Sequence, residues 1–231
     1  MKSLSVVKVG GVLLEDAAGA VARIREVDAE NLVVVHGGGV QITRMLERMN
    51  VQSQFIDGLR VTDEVTLKGV AAALMGEVHT HLVSALQSAG IPALGVFGAV
   101  RAVRKSGPWE LVGTDVKVDR DALTTMLQAG KVPVLPTLAI GDSSLLNVNG
   151  DETAAAVALA LAADRLVFLT DVEGVRDSDG VTIGRVPREV SLVDAPFVSG
   201  GMKPKLRAVD AALAGGVETV CVGRTIFGSA R

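Results

Sequence analysis

The sequence predicts an α/β protein of three layers, in which helices cover both faces of a mainly parallel sheet. Short runs rich in β-branched residues recur along the chain and are apolar throughout, as expected for strands buried on both faces. Helical patterns lie between them, and such alternation is typical of parallel sheets. The predicted strands are residues 4–9, 31–36, 91–97, 131–136, 165–170 and 218–223, and the predicted helices are 40–49, 65–87, 121–128, 153–163 and 204–214.

Two stretches interrupt the alternation. Residues 100–118 contain short β-like pieces around a Ser-Gly-Pro turn, which predicts an antiparallel excursion, and residues 54–62 form a short segment with a polar tip, which we interpret as a flap. The glycine-rich strand ends lie before residue 140, and the later strand ends are suited to a different ligand. We therefore expect one compact domain with a functional division near that residue.

Composition excludes several classes of function. The chain has 23 Lys and Arg against 26 Asp and Glu, so no nucleic-acid-binding surface is predicted. Its apolar runs are too short to cross a membrane and its start lacks a signal-peptide pattern, so we expect a cytoplasmic protein. Cys221 is the only cysteine and is expected to be a buried core thiol. The three histidines, His36, His79 and His81, predict no metal site.

Glycines follow the first two predicted strands. Lys8 interrupts the first strand and Gly10 and Gly11 follow it, while residues 37–39 are three glycines between the second strand and the next helix. Glycine lets a phosphate approach backbone amides, and amides at a helix start favour an anion. For the segment that contains Lys8, the alternative to a phosphate site is a plain turn beside a lysine whose side chain extends to solvent. We interpret His36 as a hydrogen-bonding residue at a strand end.

Three further segments carry polar residues at strand ends or helix starts. An apolar helix is preceded by three polar residues, Asn147, Asn149 and Asp151, whereas an N-cap requires only one. We expect Asp151 or Thr153 to be the cap. The turn at 170–176 is rich in Asp and Gly. In the segment 200–205, lysines stand near a helix N-terminus, where they oppose the helix dipole unless an anion binds there.

Taken in order, these segments resemble the amino acid kinase family over nearly the whole chain. The motifs that carry the resemblance are KVGGVLL, VVVHGGG, DGLRVTD, NVNGD, LTDVEGV and GGMKPK. The resemblance implies an open, mainly parallel sheet of about eight strands and a homodimer. It also implies that residues 1–140 bind an acyl acceptor and that residues 141–231 bind the nucleotide.

Within the family, the sequence is similar to members that transfer the γ-phosphoryl group of ATP, with Mg²⁺, to the side-chain carboxylate of N-acetyl-L-glutamate in arginine biosynthesis. One alternative is a kinase for N-acetyl-aminoadipate or carrier-linked aminoadipate in lysine biosynthesis, because one methylene gives little discrimination. Another is a non-catalytic ligand-sensing relative. The DGLRVTD segment favours the first reading.

The resemblance implies roles for individual residues. Lys8 and Lys205 would stabilise the transferring phosphoryl group, and Asp151 would hold both amines. The implied acceptor-binding residues are Gly38, Gly39, Arg60 and Asn147. The implied nucleotide-binding residues are Gly10, Gly11, Thr170, Asp171, Gly174, Val175, Arg176, Gly200, Gly201 and Met202. No metal-binding side chain is implied.

The sequence departs from the family pattern in several places. Gly150 replaces the usual alanine, which should loosen the helix start without touching the chemistry. Residues 78–83 replace a frequent Asn-Lys pair, and residues 95–105 replace a stretch richer in glycine and aspartate. The C-terminal segment is shorter than usual. Because the sequence starts directly at the first strand, we expect neither a hexamer nor feedback inhibition by arginine.

Overall fold

The computed structural model describes residues 3–228, so residues 229–231 of the shortened C-terminal segment lie outside the described residues. The strands are β1 (Leu4–Val9), β2 (Asn31–His36), β3 (Phe55–Ile56), β4 (Leu59–Arg60), β5 (Ala93–Gly95), β6 (Val100–Arg104), β7 (Val112–Val118), β8 (Val132–Pro136), β9 (Leu138–Ile140), β10 (Leu145–Val148), β11 (Arg165–Leu169), β12 (Arg185–Val186), β13 (Thr219–Val222) and β14 (Thr225–Gly228). The α-helices are α1 (Ala17–Arg25), α2 (Gly39–Arg48), α3 (Glu64–Ala71), α4 (Thr80–Ser88), α5 (Arg120–Gln128), α6 (Gly150–Ala160) and α7 (Met202–Ala214).

The central sheet has eight strands in the order β12-β14-β13-β11-β1-β2-β8-β5. All neighbouring pairs are parallel except β13 with β14, which are antiparallel. The predicted fold class is therefore confirmed. β1 and β2 lie near the middle of the sheet, and the carboxyl ends of both carry the predicted glycine loops.

Helices cover both faces of this sheet because successive strand residues face opposite sides. In β1, Val6 belongs to the core on one face, and Val7 and Val9 belong to the core on the other. α6 and α7 contribute their apolar residues to the first core, and α1 and α4 contribute theirs to the second. The result is the predicted three-layer arrangement.

Two smaller β structures lie outside the central sheet. β3 and β4 form a two-stranded antiparallel hairpin, which we call the flap, as the sequence predicted. β6 and β7 pair antiparallel and confirm the predicted excursion. The sequence did not predict β9 and β10, which close β6 and β7 into a four-stranded barrel. These short strands are stabilised by pairing with chain segments distant in sequence, which periodicity does not reveal.

The long helix predicted at 65–87 is divided. A π-helical segment, Ala72–His79, lies between α3 and α4. A π turn has one more residue than an α turn and often occurs at functional sites. Among residues 3–228, no helix combines the length and the apolar character needed to span a bilayer.

Candidate active site

Three charged side chains from distant parts of the chain meet at the carboxyl edge of the sheet. Lys8 lies near the end of β1, Asp151 in the first turn of α6 and Lys205 in the first turns of α7. The Nζ atom of Lys8 is 3.0 Å from Asp151 Oδ1, and the Nζ atom of Lys205 is 3.1 Å from the same oxygen. All three side chains are between 10% and 14% exposed. The structure thus brings together the predicted phosphoryl-binding cluster.

Asp151 is available to the lysines because another residue caps α6. The Asn149 side chain accepts hydrogen bonds from the amides of Asp151 and Glu152, at 2.8 and 3.0 Å. The prediction that Asp151 or Thr153 would be the cap is therefore wrong; the Thr153 hydroxyl donates to the Asn149 carbonyl instead. With the helix start already capped, the Asp151 carboxylate can accept from both ammonium groups.

The electrostatics of the cluster favour an ionised carboxylate beside two amines. Burial alone would raise the pKa of Asp151, but the charges of Lys8 and Lys205 outweigh it, and the pKa lies below its usual value. Burial lowers the pKa of Lys205 in spite of Asp151. The Lys205 ammonium also lies 4.9 Å from the centre of the Phe168 ring, a cation–π distance. Two ammonium groups share one carboxylate here, which leaves positive charge for an anion.

The two glycine loops touch each other beside this cluster. A Cβ atom added to Gly11 would lie 2.8 Å from the backbone nitrogen of Gly39, so only glycine allows this approach. The Gln41 side chain donates to the Gly11 carbonyl at 3.0 Å and ties the loops together. The amides of Gly38 and Gly39 have no partner within residues 3–228. They are therefore available to a ligand.

A cavity of about 290 Å³ opens between the loops, the flap and α6. Its lining includes every residue predicted to bind the acceptor, together with one of the two site lysines, and these are Gly38, Gly39, Arg60, Asn147 and Lys8. The Asn147 side chain donates to the Thr62 hydroxyl at 3.1 Å. The sequence prediction that these residues share one pocket is thus reflected in the geometry.

Arg60 brings a second positive charge to this cavity. The residue is 7% exposed, and its guanidinium donates to the hydroxyls of Thr43 and Ser53 and, at 3.4 Å, to the Gly39 carbonyl. Phe55 lies beneath it, 4.6 Å from ring centre to guanidinium carbon. No carboxylate of the described chain pairs with Arg60, and burial lowers its pKa. A buried guanidinium bonded only to neutral groups is well suited to bind an anionic ligand.

The residues predicted to bind the nucleotide lie in three separate parts of the structure. Gly10 donates to the Leu169 carbonyl at 3.2 Å, and Gly11 lines the cavity above. In the 170–176 turn, Gly174 and Val175 are buried, and the Val175 amide donates to the Thr225 hydroxyl at 2.8 Å.

The other predicted nucleotide contacts are more accessible. Thr170 and Asp171 line a separate cavity of about 560 Å³, where Arg23 donates to the Thr170 carbonyl at 2.9 Å. Arg176 is exposed, as are Gly200 and Gly201, while Met202, the first residue of α7, is half-buried. These residues do not all line one cavity, but residues 200–202 lead directly into the helix that carries Lys205.

Sequence reasoning missed a buried contact behind the glycine loop. His36 is hydrogen-bonded to the Gly37 carbonyl, as expected of a residue at a strand end, but it also contacts His79 from the π-helical segment. The sequence offered little signal, since His36 ends an apolar run before the glycines and His79 stands between Val78 and Thr80. Their pairing across 43 residues depends on the π turn, which no sequence period indicated. In the described part of the chain, no group of three or more His, Cys, Asp or Glu is arranged to hold a metal ion.

Fold and cavity together define an α/β protein whose site, at the carboxyl edge of a parallel sheet, is built to hold anionic groups. The chain belongs to the amino acid kinase family, whose model matches residues 3–224. It is 43% identical to the acetylglutamate kinase of Acidobacterium capsulatum over 93% of this chain and 88% of that protein. It is 41% identical to the acetylglutamate kinase of Rubrobacter xylanophilus, over 92% of this chain and 85% of that protein.

A solved structure shows the same fold. The crystal structure of smu.665 from Streptococcus mutans matches with a TM-score of 0.87 at 28% sequence identity. The match covers 98% of this chain and 99% of that one. The architecture described above is therefore shared over nearly the whole of both chains.

Proposed function

We propose that the protein is an acetylglutamate kinase, which transfers the γ-phosphoryl group of ATP to the side-chain carboxylate of N-acetyl-L-glutamate and forms an acyl phosphate in arginine biosynthesis. The observation that carries the proposal is the Lys8–Asp151–Lys205 cluster beside a cavity that also holds the unpaired Arg60. The similarity to acetylglutamate kinases over most of the chain supports the choice of acceptor.

The cavity lining suits an acceptor with one carboxylate at each end. Arg60 would bind the carboxylate that does not react, because its planar fork can donate two parallel hydrogen bonds. The amides of Gly38 and Gly39 would bind the reacting carboxylate or the phosphoryl oxygens. Asn147 would contact the acetamido group. The reacting oxygen would then face Lys8, which lines the same cavity.

The reaction needs alignment and charge neutralisation more than proton transfer. A side-chain carboxylate with a pKa near ~4.3 is already ionised at neutral pH, so no general base is required. One of its oxygens forms a bond to the γ-phosphorus, the bond from that phosphorus to the β–γ bridging oxygen breaks, and ADP leaves with the electron pair. Lys8 and Lys205 would neutralise charge on the transferring oxygens while Asp151 holds both amines. The magnesium ion would arrive with ATP and be held mainly by phosphate oxygens and water.

The nucleotide would bind in the half formed by residues 141–231, opposite the acceptor half formed by residues 1–140. Its contacts would come from Gly10 and Gly11, from the turn at 170–176 and from the segment 200–202. The position of that last segment supports this assignment, because it begins the helix that brings Lys205 to Asp151. We further propose a cytoplasmic homodimer.

A coupled ADP-release assay with a panel of acyl-amino acids tests the proposal. We expect turnover with N-acetyl-L-glutamate, and about 10²–10³-fold lower kcat in a Lys205→Ala variant, the scale of one preorganised electrostatic contact. Lys203→Ala is the matched control, because it removes a neighbouring lysine that contacts neither Asp151 nor the cavity. A preference for N-acetyl-aminoadipate would identify the lysine-pathway kinase. No turnover with any acceptor would favour a ligand-sensing protein and refute the proposal.

A further inference from the structure

Two histidines form a hydrogen-bonded chain that ends at the glycine loop. The Nε2 atom of His36 lies 2.9 Å from the Nδ1 atom of His79, and the Nδ1 atom of His36 lies 3.0 Å from the Gly37 carbonyl oxygen. His36 is completely buried and His79 is 7% exposed. Neither ring lines the cavity, so their influence on it must pass through Gly37.

The partners fix which ring nitrogens carry protons. A carbonyl oxygen only accepts, so Nδ1 of His36 must be the donor to Gly37. Burial lowers the pKa of His36 to about 3 and also lowers the pKa of His79, so both rings are neutral near neutral pH. With Nδ1 protonated, Nε2 of His36 is an acceptor, and His79 must donate to it from Nδ1. Both rings therefore carry the proton on Nδ1.

The residues around the two histidines leave room for both imidazole rings. The π-helical segment packs directly under the loop, since a Cβ atom at Gly38 would lie 2.9 Å from Leu74 and 3.2 Å from Val78. On the other side, a Cβ atom at Gly95 would lie 2.3 Å from Nε2 of His79. Only glycine at position 95 leaves room for the imidazole. The segment thus supports the loop by packing and by one directed hydrogen bond.

The consequence for the loop follows from peptide geometry. In a trans peptide, the carbonyl of one residue and the amide of the next point in opposite directions, and residues 3–228 contain no cis peptide. The Gly37 carbonyl is held on the histidine side, so the Gly38 amide is directed to the other side, where Gly37, Gly38 and Gly39 line the cavity. Three consecutive glycines would otherwise leave this peptide plane poorly fixed.

We propose that the His36–His79 pair is a positioning device that fixes the peptide between Gly37 and Gly38, so that the Gly38 amide faces the bound acceptor. This inference rests on the proposed function. Neither histidine touches the reacting atoms; both act through the backbone. Because the amide lies on the acceptor side of the site, loss of the pair affects acceptor kinetics and leaves ATP binding unchanged.

Steady-state kinetics of three variants test the inference. His79→Leu removes the donor, and we expect kcat/KM for N-acetyl-L-glutamate to fall about fivefold to tenfold, the effect of one hydrogen bond, with the KM for ATP unchanged. His79→Asn keeps an N–H group near the position of Nδ1 and should restore kcat/KM to within about twofold of the parent. His81→Leu is the control, because His81 lies only two residues further along the chain and is exposed. Equal losses in the Leu and Asn variants at position 79, or no loss in either, would overturn the inference.

Proton positions in the parent protein provide a second test that needs no variant to fold. Long-range ¹H–¹⁵N correlation spectra at neutral pH should show both buried rings with the proton on Nδ1. A proton on Nε2 of His36 would break the chain and overturn the inference. A parent protein without kinase activity would instead refute the proposed function, and the two failures are thereby distinguished.

Discussion

Replacing Asp151 by asparagine removes the one carboxylate that touches the amines of Lys8 and Lys205 within residues 3–228, while it keeps the shape of the side chain. Both ammonium groups then stay largely buried without a counter-charge. Breaking a buried ion pair by removing one partner costs about 3–5 kcal/mol. For a chain of this size, about 1 kcal/mol corresponds to roughly 2–4 °C in Tm. We therefore expect the Tm of the ligand-free Asp151→Asn variant to fall by roughly 6–20 °C.

An anion should return part of this stability, because the two amines would accept it in place of the carboxylate. Inorganic phosphate should raise the Tm of the Asp151→Asn variant by more than it raises the Tm of the parent. The kcat should nevertheless fall by about 10²–10³-fold, since the amines are no longer held in place. Thermal unfolding with and without phosphate, and the coupled assay, measure both effects.

The matched control is Glu152→Gln, which removes the adjacent, exposed carboxylate of the same helical turn. It should change stability by no more than the contribution of a charge near a helix end, about 0.3–1 kcal/mol. If Asp151→Asn behaved like this control in Tm and in its response to phosphate, the amines would not depend on Asp151, and the electrostatic reasoning for the whole cluster would be refuted.

Three further predictions concern other parts of the site. Arg60→Lys keeps the charge but loses the fork, so the acceptor KM should rise roughly tenfold; a change confined to the ATP KM would contradict the acceptor role. In Gly150→Ala, the new Cβ atom would lie 3.0 Å from Cε of Lys8 and displace that side chain. We therefore expect kcat to fall about twofold to fivefold, although alanine is the better residue for a helix. An unchanged kcat would show that Lys8 adjusts freely. The pKa of His36 is lowered from 6.5 to about 3, so folding favours its neutral form. The free energy of unfolding should therefore decrease as the pH falls below 6.5, by about 2 kcal/mol at pH 5. Urea unfolding curves that coincide at pH 5 and pH 8 would contradict this.

The sheet could be predicted from the sequence where strands are buried on both faces. β1 and β2 have the predicted bounds, 4–9 and 31–36, because their apolar runs are continuous and end at glycine loops. β9 and β10 could not be found in this way. They have three and four residues and are stabilised by barrel partners elsewhere in the chain, so their local sequence carries little periodic signal.

The charged cluster of Lys8, Asp151 and Lys205 was expected only because the sequence resembles the amino acid kinase family. The structure supplies the physical reason, since parallel strands bring their carboxyl ends, and the helices that follow them, to one edge of the sheet. The expectation that Gly150 leaves the chemistry untouched stays a prediction, and the structure shows where it can be tested, since a Cβ atom at position 150 would lie 3.0 Å from Cε of Lys8. The His36–His79 pair could not be predicted, since a π turn changes which side of a helix faces the sheet.

The distribution of charge in the cavity explains why this site is not arranged for greatest stability. A second carboxylate beside Lys8 and Lys205, or one beside Arg60, would neutralise buried positive charge and remove a cost to folding. The described chain places neither there. Positive charge therefore remains at two separate points, one beside α6 and one beside the flap, with glycine amides between them. A ligand that carries a single negative group can neutralise the positive charge at only one of these two places. Under the proposed function, an acceptor with one carboxylate at Arg60 and a reacting carboxylate that meets a phosphoryl group at the lysines would neutralise both, so the unpaired charges of the cavity would favour a dicarboxylic acceptor.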